Sequence, residues 1–155
     1  MPVHVQAVWD VKIPPKIHFF LWFVSHNRVL TRVNLVKRQK VDDLTCLFCN
    51  KLETCNHIFF ECVVATAAWK EVGRITGNIP VNIEMIADRW EKNKLFKVEN
   101  VMYAAIMWSI WLIRNDLCFK RAIWPGMQEI WRRCAYNLVQ WGILLGEGEK
   151  GKLNT

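Results

Sequence analysis

The chain lacks the residue patterns on which most enzyme chemistry is built. It has no P-loop, no G-x-G-x-x-G turn and no G-x-S-x-G elbow, so it offers no phosphate cradle, dinucleotide turn or serine nucleophile. Polymerases and nucleases need carboxylates converging on divalent ions, yet there is no paired-Asp hairpin; Asp42 and Asp43 are adjacent in a polar stretch that reads as a solvated loop. Cys118 and Cys134 have no histidine placed by the sequence to activate them. His57 is followed by Ile58 and Phe59, so the H-x-E pair of a zinc deaminase is missing as well. The expectation is a protein that is not an enzyme and has no small-molecule substrate.

Other absences bound the fold and its setting. There is no alternating strand pattern and no internal repeat, which predicts a mainly α protein. The start, MPVHVQAVWDVKIPPK, shows no basic segment leading into an apolar one, so an intracellular site, nucleus or cytoplasm, is expected. A reducing compartment keeps the six cysteines as thiols or metal ligands. The longest apolar run, Val101 to Ile113, is broken only by Ser109 and stopped by Arg114, too short for a bilayer and suited to a core helix. No membrane partner is expected.

Acidic residues are nearly missing from the first forty positions. Asp10 stands alone there against seven bases, a local charge of +6, while residues 41–100 carry −2 and residues 101–155 carry +3, for +7 overall. Lys12, Lys16, Arg28, Arg32, Lys37, Arg38 and Lys40 are therefore a candidate phosphate-contacting surface; the alternative is a solvated basic face without a partner. His18, Phe19, Phe20, Trp22 and Phe23 are interleaved with them and would suit base stacking where exposed, although several repeat at core spacing.

What the chain does contain is concentrated in TCLFCNKLETCNHIFFEC. Cys46, Cys49, His57 and Cys62 form C-x2-C-x7-H-x4-C, two close pairs of soft or borderline ligands, the pattern by which a chain surrounds one tetrahedral Zn2+. With all four positions filled no place is left for an activated water, so the predicted site is structural. Cys55 could substitute for His57, but C-x5-C-x6-C lacks the paired spacing and a free thiol fits better. Cys118 and Cys134 lie in hydrophobic stretches as core residues. A retroviral knuckle has four residues between its second and third ligands, so this loop is three residues longer and knuckle-style base recognition does not follow.

The remaining pattern is helical. Pro14 and Pro15 precede a helix over about Lys16 to His26, with Ile17, Phe20, Leu21 and Val24 on one face. Thr31 is a candidate N-cap for a short basic helix, and Val41 to Asn56 reads as a turn-rich or hairpin segment holding the C-x2-C. A third helix is expected from near Cys62, with Ala65, Trp69 and Val72 in register and Gly73 or Gly77 as its end. A weaker helix follows over Ile83 to Glu91. The strongest runs from about Val98 to Phe119, with a broad apolar face of Val101, Ala105, Trp108, Trp111, Leu112 and Asn115. Pro125 suits the start of a last helix to about Leu145, closed by Gly146. Nine tryptophans supply packing anchors, or a docking surface where exposed. The expected organisation is a metal-pinned unit over residues 9–75, a helical extension over 76–146 and a disordered tail over 147–155.

Read in order, Trp9, IPPK, FFLW, LTRVNLVKR, C-x2-C, Glu53, His57, IFFEC and Trp69 resemble the reverse-transcriptase zinc-binding domain of plant LINE-type retrotransposon polyproteins and genes derived from them. The resemblance covers about residues 9–72, and MWSIWLIRNDLCF is similar to the W-x-x-W-x-x-R-N segment that follows such domains. It implies that Cys46, Cys49, His57 and Cys62 are the zinc ligands and favours His57 over Cys55. Val63 stands where such sequences often have proline, which weakens a helix-start preference and removes no ligand. Polymerase, endonuclease and ribonuclease H parts are missing from the chain, so no activity of a parent polyprotein transfers to it.

Three uses remain open on the sequence. The chain could bind RNA or DNA through the basic residues of 12–40. It could recruit a protein or itself through Trp-rich helices, since 52% of its residues are hydrophobic. It could also be a retrotransposon remnant without a selected role.

Overall fold

The computed structural model describes residues 7–120 and 122–142. The tail expected at 147–155 and the Gly146 stop lie outside them. After a 3-10 turn at Val8–Asp10, Pro14 is extended and Pro15 opens α1, Pro15–Ser25, where its missing N–H leaves no helical bond unmade. Ile17, Phe20, Leu21 and Val24 are buried, as their spacing requires. Asn27, at φ 53, turns the chain, and Thr31 caps α2, Arg32–Leu35, its Oγ1 accepting the Asn34 N–H at 3.3 Å. The Asn34 amide is itself buried and donates to Val29 O at 2.8 Å and Asn27 O at 3.0 Å, which ties α2 to the turn.

No strand forms among the described residues. The expected hairpin is reduced to one antiparallel bridge, Thr45 to Leu52, with Cys46 N–H donating to Lys51 O at 2.7 Å and Glu53 N–H to Leu44 O at 2.9 Å. A π-helical turn at His57–Glu61 leads into α3, Val63–Thr76, which Gly77 ends in the left-handed conformation at φ 83. Asn82 caps α4, Ile83–Glu91, accepting Met85 N–H at 3.0 Å. Two longer helices follow, α5, Lys97–Phe119, and α6, Met127–Trp141.

Two expectations are corrected here. Pro125 does not begin the last helix, because Gly126 intervenes at φ 110, a turn that helical residues cannot make, and α6 starts at Met127. Nor is α5 apolar on one face alone. It is the central helix, packed against α1, α3, α4, α6 and the π turn, and its buried positions include Tyr103 to Met107 without a break. A run such as Val101 to Ile113 can be a core helix only if neighbours cover it on nearly every side. The core is continuous across position 75, joining Leu21, Phe59 and Trp69 to Trp90, Ile110 and Ile130. Of the tryptophans, Trp69, Trp90 and Trp141 are buried, Trp9 is exposed, and the other five are half-buried. No described helix is long and apolar enough to cross a membrane.

Candidate functional site

Cys46, Cys49, His57 and Cys62 bring their ligand atoms within 4.8 Å of one another. The bridge at Thr45 and Leu52 closes the C-x2-C turn, and Asp43 stiffens its entry by accepting Thr45 N–H at 2.9 Å and the Thr45 hydroxyl at 2.7 Å. The second ligand pair depends on the π turn. In an α-helix, residues five apart point about 140° away from each other, so His57 and Cys62 would face different directions. The i to i+5 bond from Cys62 N–H to His57 O, at 2.7 Å, places them one above the other.

The donor set fits zinc. Bonds of about 2.3 Å to sulfur imply S···S edges of roughly 3.7 Å in a tetrahedron, and Cys46 Sγ lies 3.7 Å from Cys62 Sγ. Cys49 Sγ lies 3.1 Å from His57 Nε2, the ring nitrogen offered to an ion. The Cys46 thiol is pushed up because it donates to Cys62 and is buried, and Cys62 is drawn down because it receives that bond and the N–H groups of Val64 and Ala65 at the start of α3. Burial holds His57 below the ordinary histidine value, leaving the neutral, metal-binding imidazole. Phe48 N–H also donates to Cys46 Sγ at 3.4 Å. Cys55 points away, its thiol 3.7 Å from Val24 O, with burial pushing it up to about 12. Cys134 is buried in α6 against Ser109; Cys118 is half-buried.

The metal centre is joined to α5 by a buried ion pair that the sequence did not reveal. Glu53 and Arg114 are both almost wholly buried; Arg114 Nη2 donates to Glu53 Oε1 at 2.6 Å and Nε to Oε2 at 3.0 Å. Glu53 Oε1 also accepts Arg32 N–H at 2.8 Å, and Arg114 donates to Leu30 O at 3.3 Å, so the pair's bonding capacity is largely met. The signal was present: an arginine ending a long apolar run must find a carboxylate if it is buried. Phe48, between the paired cysteines, adds an edge contact to Trp124 at 5.1 Å.

Beyond this pair lies a groove of about 480 Å3 between α1, the 28–30 turn and α5. Lys16, Arg28 and Arg38 line it, and no carboxylate does. Phe19 and Phe23 stand on one rim, 53% and 42% exposed, and Trp108 and Trp111 contribute from α5. Lys16 Nζ lies 5.9 Å from the Trp108 ring centroid. Phe59 of the π turn is fully buried and supports the groove from below, 5.7 Å from Phe20 and 5.9 Å from Trp111. Arg114, held by Glu53, lies 4.7 Å from the Trp111 ring.

The seven basic candidates therefore separate. Lys16, Arg28 and Arg38 share the groove; Lys12, Lys37 and Lys40 are exposed outside its lining. Arg32 is half-buried and turned inward, donating to Thr45 O at 3.0 Å with Asp43 Oδ2 at 3.5 Å, which makes it a brace for the C-x2-C turn. Among the aromatic candidates His18 and Phe20 are buried, and Trp22 is half-buried and stacked on His26. Trp108 and Trp111, some ninety positions from Phe19, could not be placed beside it from sequence alone.

No curated protein and no solved structure matches the chain. Residues 2–69 match the family model described as zinc-binding in reverse transcriptase, which ends within α3 and leaves α5 and α6 outside the match. With the ligand spacing and the converged Cys3His cluster, that match assigns residues 2–69 to the zinc-binding domains of reverse transcriptases.

Proposed function

We propose that this chain is a non-catalytic nucleic-acid-binding module in which zinc supports the binding face and takes no part in chemistry. The observation that carries the reading is the convergence of Lys16, Arg28 and Arg38 on one groove that no acidic side chain lines. None of the three has a carboxylate ion-pair partner among the described residues, so each is free to meet a phosphate. Zinc acts at a distance: it closes the π turn that holds Phe59 under Phe20 and Trp111, and it anchors the loop from which Glu53 reaches Arg114. Against catalysis stands the donor set, since four protein ligands would fill the coordination of a tetrahedral zinc and leave no place for a water or substrate. The buried Glu53 carboxylate is also committed to Arg114 and Arg32.

The test is a salt titration of RNA and DNA binding by the zinc-loaded protein. Affinity should fall by about 15- to 40-fold between about 50 and 200 mM salt if the three groove cations neutralise three phosphates. Absence of binding at the low-salt end overturns the reading.

A second reading, self-association, is favoured by a separate observation. An apolar cleft of about 240 Å3 between α3, α5 and α6 is lined by Val72, Ile75, Met102, Ile106, Trp131 and Leu138, and Ile75 is 72% exposed. A molar mass that rises with protein concentration and falls in Ile75→Glu would support it; a constant monomer mass would remove it.

A further inference from the structure

We infer that the groove between α1 and α5 takes an unpaired nucleic-acid strand, gripped through its bases as well as its phosphates. This rests on the nucleic-acid reading and specifies its ligand. A surface that only neutralises phosphates needs cations and has no use for exposed apolar rings. Here the cations surround aromatic faces. Lys16, Phe19, Phe20 and Phe23 fall at i, i+3, i+4 and i+7 on one face of α1, and of the three rings only Phe20 is covered, at 5% exposure against 53% for Phe19 and 42% for Phe23. Phe19 and Phe23 each rest edge-on against a tryptophan, Trp9 at 5.1 Å and Trp22 at 5.4 Å, and the half of each ring left exposed forgoes burial that the core would otherwise gain. Rings so placed offer stacking platforms of the kind single-strand binders use.

The arrangement selects against a duplex. Paired bases keep their faces inside the helical stack, where Phe19 and Phe23 cannot reach them, whereas an unpaired base presents its face to any ring beside the backbone. The groove is of the size that holds small planar ligands. Lys16 enters from the start of α1 and Arg28 and Arg38 from the chain beyond its end, so the groove offers phosphate partners from separate parts of the chain. Beside the cations and rings the lining is Val29 and Leu30, which offer no side-chain hydrogen bond to a base edge, so with the cations engaged on phosphates little sequence preference follows.

The experiment uses the full zinc-loaded chain and fluorescence anisotropy with a labelled mixed-sequence strand of about 16 nucleotides, as RNA and as DNA, each alone and as a duplex. Either single strand should bind at least about tenfold more tightly than its duplex, and the tighter of RNA and DNA identifies the sugar preferred. Phe19→Ala with Phe23→Ala should weaken single-strand binding about tenfold per ring and leave duplex binding unchanged, while Phe19→Tyr with Phe23→Tyr retains it. Lys16→Gln, Arg28→Gln and Arg38→Gln together should weaken both forms and reduce the single-strand salt slope by about 2. Both rings are exposed, and zinc content confirms that each variant is folded. Equal affinity for strand and duplex, or indifference to loss of the rings, overturns the inference and leaves phosphate binding standing. No binding to any of the four probes overturns both.

Discussion

Between Thr45 and Leu52 the chain buries one side chain, Cys46, while Leu47 and Leu52 face solvent; along α5 eleven side chains are buried. Helix α5 lines the groove with Trp108 and Trp111 while the loop lies outside its lining, and the two are held by opposite means. The loop has a single bridge and too little apolar contact to order eight residues against their conformational entropy, so its geometry is expected to depend on an ion held by the four candidate ligands. Helix α5 needs no ligand, because each turn is covered by neighbours. A loop that carries the candidate metal ligands thus stands against a helix held by packing alone, and the two are joined at one buried pair, Glu53 and Arg114.

The largest effect should come from removing the ion. Structural zinc supplies about 10–16 kcal/mol in isolated fingers, far beyond what one bridge contributes. Chelation or Cys49→Ser should accelerate amide exchange across residues 44–66 by orders of magnitude, with α5 and α6 remaining protected. Unchanged exchange in that segment would mean that the loop is held by packing after all, and the contrast between the regions would disappear.

Next comes the junction. Arg114→Met leaves Glu53 buried without its charge partner and should destabilise the zinc-loaded protein by about 3–5 kcal/mol in urea unfolding. Adding Glu53→Gln should restore part of that loss, since the remaining group is then neutral. If the double variant is worse than the single one by the full cost of a second deletion, the two residues are not coupled.

A smaller effect belongs to pH. His18 is buried, its Nε2 2.7 Å from Val11 O, and burial holds it below the ordinary value of 6.5. A depressed histidine keeps its stabilising contribution above its unfolded pKa and loses it as pH falls through the folded one. Stability measured in zinc-saturated buffer should therefore decline from pH 7 toward pH 5, with a shallower decline in His18→Gln. An identical slope in the variant would assign the pH dependence elsewhere. The smallest effect is expected of Cys55→Ala: one zinc per chain by metal analysis, as in the parent protein. A loss of zinc would make Cys55 a ligand.

Much of the helical register was legible because it depends on near neighbours. Pro15 at a first helical position, Thr31 as a cap and the buried stripe of α1 each involve residues within one or two turns. The start of α6 set by Gly126 was not legible, because a proline one residue earlier gives the same local signal. The π turn was also hidden: HIFFE suits an α-helix equally, and only the requirement that His57 and Cys62 face one point selects the wider turn. Arg114 read as the end of an apolar run because its partner lies 61 positions away.

The sequence by itself determined the Cys3His set that converges as candidate metal ligands, the mainly helical class and the excess of positive charge ahead of that set, because spacing, periodicity and composition are local properties. Only the tertiary structure decided which of those charges share a groove, which aromatic rings stay in water and that Trp108 and Trp111 stand beside Phe19 and Phe23. Those relations depend on how α5 is buried, and burial is settled by the whole set of packed neighbours at once.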